Sequence, residues 1–401
     1  MHQDLVIVGG ARTAMAEYVG TPGYGLFKDV GANQLGAYAI QGALERSGVP
    51  GEAIEQVFMG NALQTEAGAI YGARHAALKA GLDQSLPALT VNRLCGSGIQ
   101  SIVSACHTLL AGEAEVCVAG GMENMSQAPH VLRGAREGFR LGANPPLNDY
   151  LFESLLDPYC GFFMAQTAEN LARDFGISRE DQDEYALRSH RLGAAAVQNG
   201  TFAEEIVPVQ VKRGREEVEV AIDDHIKPDT SLEALSRLRP AFGKDGTVTA
   251  GNASGIVDGA AALIVTTAGR ARREGWRIRA WIRSWGLAGV DPARMGIGPV
   301  PAIQQACERA GITKDQVDFF EINEAFAAQY LAVEKALELD RDKCNVNGGA
   351  VAIGHPLGAT GTRLVLTLYH QLERAGARFG MASACIGGGQ GIAMLVERGE
   401  G

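Results

Sequence analysis

The 401-residue chain carries 36 basic and 46 acidic residues, a formal net charge of -10, with 46% apolar and 20% charged residues. That balance excludes a disordered, collagen-like or coiled-coil chain and offers no electrostatic footprint for nucleic acid or an anionic membrane. The length calls for more than one core-forming unit, and 52 glycines, well above the usual share of about 7%, call for tight turns and close backbone approaches.

In chain order, "LVIVGG" (5–10) reads as a buried strand and "AIQGALERSGVPGEAIEQVFMGNAL" (39–63) as helix, turn, strand. The strand-like "ALTVN" then leads through a small-residue turn holding Cys95 into an apolar-periodic helix, and "VCVAGG" (116–121) is a further strand. Residues 122–248 are richer in charge and proline, with helices expected at 165–176 and 178–200, the second opening on Ser178 as N-cap. Later, "AIQQACERAGITKDQVDFFEINEAF" (302–326) aligns without a gap against 39–63, and "NVNGGAVAIG" (345–354) and "RFGMASACIGG" (378–388) echo 90–98 and 114–121. The chain therefore reads as two similar α/β halves. The first comprises 1–121 and 249–272, the second 273–401, and 122–248 is an inserted loop domain without counterpart.

Seven cysteines, odd in number and without a C-x-x-C pair, fit neither a disulfide framework nor a zinc cage, so no metal is expected and a reducing compartment is. The N-terminus enters "DLVIVGG" without a basic region, and no apolar run approaches the roughly 18 residues of a membrane span. The sequence-based expectation is a cytoplasmic protein with no membrane insertion.

Four positions carry candidate chemistry. Cys95 stands near a helix N-terminus, where backbone N–H groups and the helix dipole lower a thiol pKa; it reads equally as a small buried hydrophobe. His355, beside Pro356 on a glycine-rich turn before a long helix, is a poor core residue, though a solvated turn histidine remains open. Cys385 ends a strand and enters a triple-glycine turn able to cradle an anion, or simply packs there. Asn323 opens a helix after an apolar strand, where plain capping would also explain it.

Taken together, "CGSG", "NEAFA", "GGAxAxGHPxGxxG" and "CxGGGxG" in this order resemble the thiolase family, and the resemblance spans essentially the whole chain. It is nearest to 3-ketoacyl-CoA thiolases of the degradative type. It implies a thiolase-like duplicated α/β/α/β/α layered fold with a loop domain over the active site, a homodimer or homotetramer, and a place in fatty acid metabolism such as β-oxidation. The reaction implied is CoA-dependent cleavage of 3-ketoacyl-CoA to acetyl-CoA and a shortened acyl-CoA, or the reverse condensation to acetoacetyl-CoA. Coenzyme A and acyl-CoA are then substrates, with no permanently bound cofactor.

By the same resemblance Cys95 is the nucleophile, His355 its base, and Cys385 the acid/base at the α-carbon. One oxyanion hole pairs His355 with a water held by Asn323; the other uses the N–H groups of Cys95 and Gly387. Substrate binding falls to Ser254, Ala253, Gly255, Met164, Phe326, Phe242, Leu155 and Lys227. Met164, Phe326 and Phe242 also read as ordinary core. Two departures from the family pattern are Phe163, where acetoacetyl-specific members carry histidine, and Ala14, where a proline is usual. Phe163 points to broader or longer acyl chains. A ketoacyl-ACP synthase would need a second histidine where Cys385 stands, a noncatalytic scaffold would not need all three reactive residues, and a redox sensor would not need the glycine turns.

Overall fold

The internal repeat of the sequence is built into the sheet. Helices Ala32–Ser47 and Pro299–Ala310 each end on a glycine at φ 68°, Gly48 and Gly311, a left-handed conformation that disfavours side chains. Each then runs through a short 3₁₀ turn into a parallel strand, Gln56–Gly60 or Phe319–Ile322. The computed structural model describes residues 4–243 and 245–399.

Across the large sheet the strand order is Ala88–Val91, Gln56–Gly60, Val116–Glu123, Val257–Thr267, Leu5–Arg12, Ala280–Gly289, Gln390–Arg398, Phe379–Ile386 and Phe319–Ile322. The first five strands come from the first half and the last four from the second. Antiparallel pairing of Leu5–Ile7 with Ala280–Ile282 joins them. At the far edge, where Ala88–Val91 has no full counterpart, an isolated parallel bridge between Phe320 and Cys344 takes its place.

Two helices fill the space between the halves. Ser97–Ala111 and Leu357–Ala375 pack on each other and on strands from both halves, so Ile99, Ile102, Val103, Leu364, Val365 and Leu368 share one core with Ala119, Ala384 and Met394. Ala32–Ser47 covers the outer face of the first half and Pro299–Ala310 that of the second, which makes the layers α/β/α/β/α. The stretch Leu94–Ala111 is long and apolar enough to cross a membrane, an exception to the sequence reading; most of it, including Ile99, Ile102, Val103 and Leu109, is buried in the core between the two halves.

Between residues 122 and 248 the chain forms short two-stranded ladders and two substantial helices, Met164–Phe175 and Arg179–Gln198. The second begins where the sequence places it: Ser178 Oγ accepts from Asp181 N at 3.0 Å while Asp181 reaches back to Ser178 N. Both helices pack on Ala327–Leu337 of the second half, and Ala168, Leu171 and Tyr185 join its core. This contact brings Met164, at the start of the first helix, over the ends of the sheet strands.

Candidate active site

The two central helices begin at the same end of the molecule, and each presents a reactive residue just ahead of its first turn. Cys95 sits in the 3₁₀ turn Leu94–Gly96 that leads into Ser97–Ala111. The preceding Leu94 is held at φ 46°, a conformation costly for a side-chain-bearing residue. Its N–H donates to Asn92 Oδ1 at 2.9 Å and its carbonyl accepts from Ser97 Oγ at 2.7 Å, so local hydrogen bonds maintain the elbow. Gly96 must lack a side chain, because a Cβ there would come within 2.6 Å of Ile386 Cδ1.

His355 enters on the corresponding turn of the second half. Gly354 at φ 99° precedes it, and a Cβ there would lie 2.3 Å from Val257 Cγ1. His355 N donates to Gly255 O at 3.0 Å, Ser254 N donates to Ala325 O at 3.0 Å, and Ala327 N donates to Asn252 O at 2.8 Å. These three bonds clip segment 252–255 to both the histidine turn and the strand end bearing Asn323.

A cavity of about 180 Å³ is lined by Cys95 and His355 together with Leu155, Met164, Phe242, Ala253, Ser254, Gly255 and Phe326. Of the residues picked from the sequence, Lys227 alone among the binding candidates is not on that wall. Its Nζ instead donates to Tyr24 Oη at 2.6 Å and Glu17 Oε2 at 3.1 Å, because Glu17 is a nearer anion than anything in the cavity. Cys385, fully buried, packs with Met164, Ala325, Phe326 and Met295 directly behind the lining. Asn323 Nδ2 lies 3.3 Å from His355 Nε2.

Electrostatics correct the expectation of a ready-made thiolate. Burial pushes the Cys95 thiol up to about 11, opposed by hydrogen bonds from the N–H groups of Gly387 and of Cys95 itself. The helix terminus does not overcome desolvation here. Burial, with Arg363 adding to it, takes His355 down to about 3, so thiol and imidazole rest as a neutral pair. Cys385 is raised well above an ordinary thiol, first by burial and then by Cys95 nearby.

Residues 5–269 match the thiolase N-terminal domain and residues 276–398 the thiolase C-terminal domain. The chain belongs to the thiolase family. It is 47% identical over 395 residues to the mitochondrial 3-ketoacyl-CoA thiolase of Homo sapiens, covering 98% of each chain. It is also 48% identical over 396 residues to an acetyl-CoA acetyltransferase of Cupriavidus necator, covering 98% of this chain and 99% of the relative. The crystal structure of the human mitochondrial enzyme superposes with a TM-score of 0.96 at 46% identity over 99% of both chains. The same enzyme in complex with CoA gives 0.95 at 46% identity, covering 99% of this chain and 98% of that one. This thiolase is accordingly an acyltransferase of the duplicated layered fold.

Several hydrogen-bond partnerships of this thiolase's site escape a reading of sequence motifs. Thr360 Oγ1 lies 2.6 Å from His355 Nδ1. Glu123, at the end of strand Val116–Glu123, is fully buried and accepts from Asn61 Nδ2 (2.8 Å), Leu63 N (3.0 Å), Ala62 N (3.0 Å) and Gly358 N (2.8 Å), tying the histidine helix to the edge of the first half. Beneath Asn323, the buried Glu324 accepts from Tyr185, Ser189, Asn345 and Val351 N at 2.6–3.0 Å. Glu324 stands in the "NEAFA" motif, but its partners and those of Glu123 carry no sequence signal, because they lie on other elements. Phe163 stacks between Phe242 (5.2 Å between centroids) and Phe152 (4.7 Å), and it lines the cavity.

Proposed function

We propose that the enzyme transfers acyl groups between a 3-ketoacyl-CoA and CoA through a thioester on Cys95. The observation that carries this reading is the meeting of Cys95 and His355 on one apolar cavity, with Cys385 packed behind its lining and Asn323 Nδ2 3.3 Å from His355 Nε2. The CoA complex of the human relative supports acyl-CoA as the substrate class.

In the cleavage direction, the Cys95 thiol passes its proton to His355 Nε2 as Sγ attacks the 3-keto carbon. A neutral histidine is the form able to do so. The oxygen that becomes negative is served by the N–H groups of Cys95 and Gly387, both of which already reach the sulfur. Such preorganised donors are worth on the order of 10²- to 10³-fold each. A side chain at position 387 would press on Leu94 and Met164, each 3.2 Å from the would-be Cβ.

The bond between C2 and C3 then breaks, and its electron pair leaves on C2 as the enolate of acetyl-CoA. The protonated Nε2 of His355 and Asn323 Nδ2 are two donors for the enolate oxygen. Cys385, held as a thiol by burial and by Cys95, donates its proton to C2. CoA then gives its thiol proton to the Cys385 thiolate and attacks the acyl-Cys95 thioester. Cys95 leaves as thiolate and recovers its proton from His355, so every group returns to its starting state. The reverse sequence condenses two acetyl-CoA molecules.

The apolar cluster of Phe152, Phe163 and Phe242 supports acyl chains longer than four carbons and, with them, a role in fatty acid degradation. A homodimer or homotetramer is the assembly proposed; Ala88–Val91 lies at the sheet edge with Leu89, Ile70 and Tyr71 exposed beside it. The compartment proposed is a reducing one such as the cytoplasm, with all seven cysteines free; the human relative is mitochondrial. Loss of 3-ketoacyl-CoA followed at several chain lengths, on wild type and Cys95→Ala, tests the reading. CoA-dependent activity that Cys95→Ala abolishes supports it, and an inactive, well-folded wild type defeats it.

A further inference from the structure

The two N–H groups that serve the oxyanion at Cys95 belong to different halves of the molecule. One is on Cys95 itself, in the turn Leu94–Gly96, and the other is on Gly387, in the glycine turn between strands Phe379–Ile386 and Gln390–Arg398. Donors of this kind act when each lies about 2.7–3.1 Å from the oxygen as it becomes negative. The spacing of the two turns therefore has to be set by the protein.

Apolar packing brings the turns together. A Cβ on Gly387 would lie 3.2 Å from Leu94 Cδ1, and one on Gly96 would lie 2.6 Å from Ile386 Cδ1 and 3.0 Å from Ile392 Cγ2. Such contacts are non-directional and do not by themselves aim an N–H group. The directional tie is Arg93 Nη1, which donates to Gln390 Oε1 at 2.8 Å. Among the described residues it is the one hydrogen bond, apart from those to the Cys95 sulfur, that joins segment 92–97 to segment 386–391.

Each end of this tie is anchored within its own half. Arg93 N donates to Ser97 Oγ at 2.8 Å, and Arg93 Nε donates to Gln100 Oε1 on the helix Ser97–Ala111 at 2.8 Å. Gln390 pairs with Ile386 on one side and Gly289 on the other, and a Cβ on Gly298 would lie 2.1 Å from Gln390 O. Neither Arg93 nor Gln390 lines the cavity, and both side chains are partly exposed. Any effect on the chemistry has to pass through the turns, and loss of the tie leaves their buried packing in place.

We propose that Arg93 is a positioning residue for acyl transfer: through Gln390 it fixes the Cys95 turn of one half against the Gly387 turn of the other and holds the two oxyanion donors at their working distance. The inference rests on the acyl-Cys95 reading.

The test is the rate at which acetyl-CoA acetylates Cys95, followed by intact mass after rapid mixing, in wild type, Arg93→Met, Gln390→Leu and the double variant. In that step Cys95 passes its proton by way of His355 to the departing CoA sulfur, and the acetyl oxygen carries the charge the two N–H groups hold. Each single variant is expected to slow acetylation and kcat about ten- to hundredfold, up to the cost of misplacing a reacting group by about 1 Å, with KM for CoA near the wild-type value. Either substitution removes the same hydrogen bond, so the double variant is expected to be no slower than the slower single one. Gln390→Leu keeps the guanidinium charge, so its loss of rate does not come from charge alone. Alkylation of Cys95 by iodoacetamide develops no oxyanion and is expected to stay near the wild-type rate in all three variants. Unchanged acetylation, losses that multiply in the double variant, or alkylation that falls in proportion to acetylation overturns the proposal. A wild type never acetylated at Cys95 overturns instead the reading on which it rests.

Discussion

His355 Nδ1 lies 2.6 Å from Thr360 Oγ1, and the hydroxyl of Thr360 donates in turn to Pro356 O at 3.0 Å. With its one proton so committed, Thr360 accepts from Nδ1–H, which fixes the tautomer and leaves the Nε2 lone pair toward Asn323 and the cavity. Thr360 is therefore a positioning residue for the base. Thr360→Val, which keeps shape and removes the acceptor, is expected to lower kcat about ten- to hundredfold, less than the 10²- to 10⁴-fold of losing a general base outright. KM stays near wild type, and Thr360→Ser restores most of the rate. Steady-state kinetics of the two variants check this, and an equal loss in both would remove the hydroxyl from the account.

The neutral resting pair makes a pH prediction. Cys95 is raised to about 11, so the thiolate fraction at pH 8 is on the order of 10⁻³ and climbs through the alkaline range. Alkylation of the free enzyme by iodoacetamide is expected to accelerate with pH without levelling off below pH 9. A plateau near neutrality would mean that Cys95 rests as a thiolate after all.

Phe163 bears on substrate length. Phe163→His puts a polar ring into the stack with Phe152 and Phe242 and is expected to cut kcat/KM on long 3-ketoacyl-CoA by roughly 10- to 200-fold relative to acetoacetyl-CoA, the range an apolar contact controls. Comparing wild type and variant across chain lengths checks it. A wild type confined to four-carbon substrate would contradict the role given to this residue.

Glu123 offers both oxygens to two donors each. In Glu123→Gln the amide NH₂ must face donors whichever way it turns, so the variant is expected to lose about 1–3 kcal/mol of stability. Chemical denaturation measures this directly. An unchanged midpoint would show that the link between the halves is dispensable.

Much of this was legible in the sequence, for identifiable reasons. Strand positions such as 5–10 and 116–121 are short apolar runs cut off by glycine, and the repeat of 39–63 at 302–326 exposed the duplication that the sheet order reproduces. Cys95, His355, Cys385 and Asn323 stood in motifs ahead of helices or at strand ends, the places where chains present side chains to a site. The pKa of Cys95 was misread, because its helix N-terminus is local in sequence while the desolvation that outweighs it comes from distant segments. Lys227 was misplaced for a similar reason: Glu17, its partner, is 210 positions away. Thr360 and Glu123 depend on hydrogen bonds that no motif announces.

The central claim is the acyl group on Cys95, and intact-mass spectrometry of the enzyme mixed with acetyl-CoA, followed by peptide mapping, tests it most directly. A gain of one acetyl group, mapped to the peptide containing Cys95 and missing from Cys95→Ala, is the result expected. An acetyl group on the Cys385 peptide, or a gain that persists in Cys95→Ala, would contradict the account.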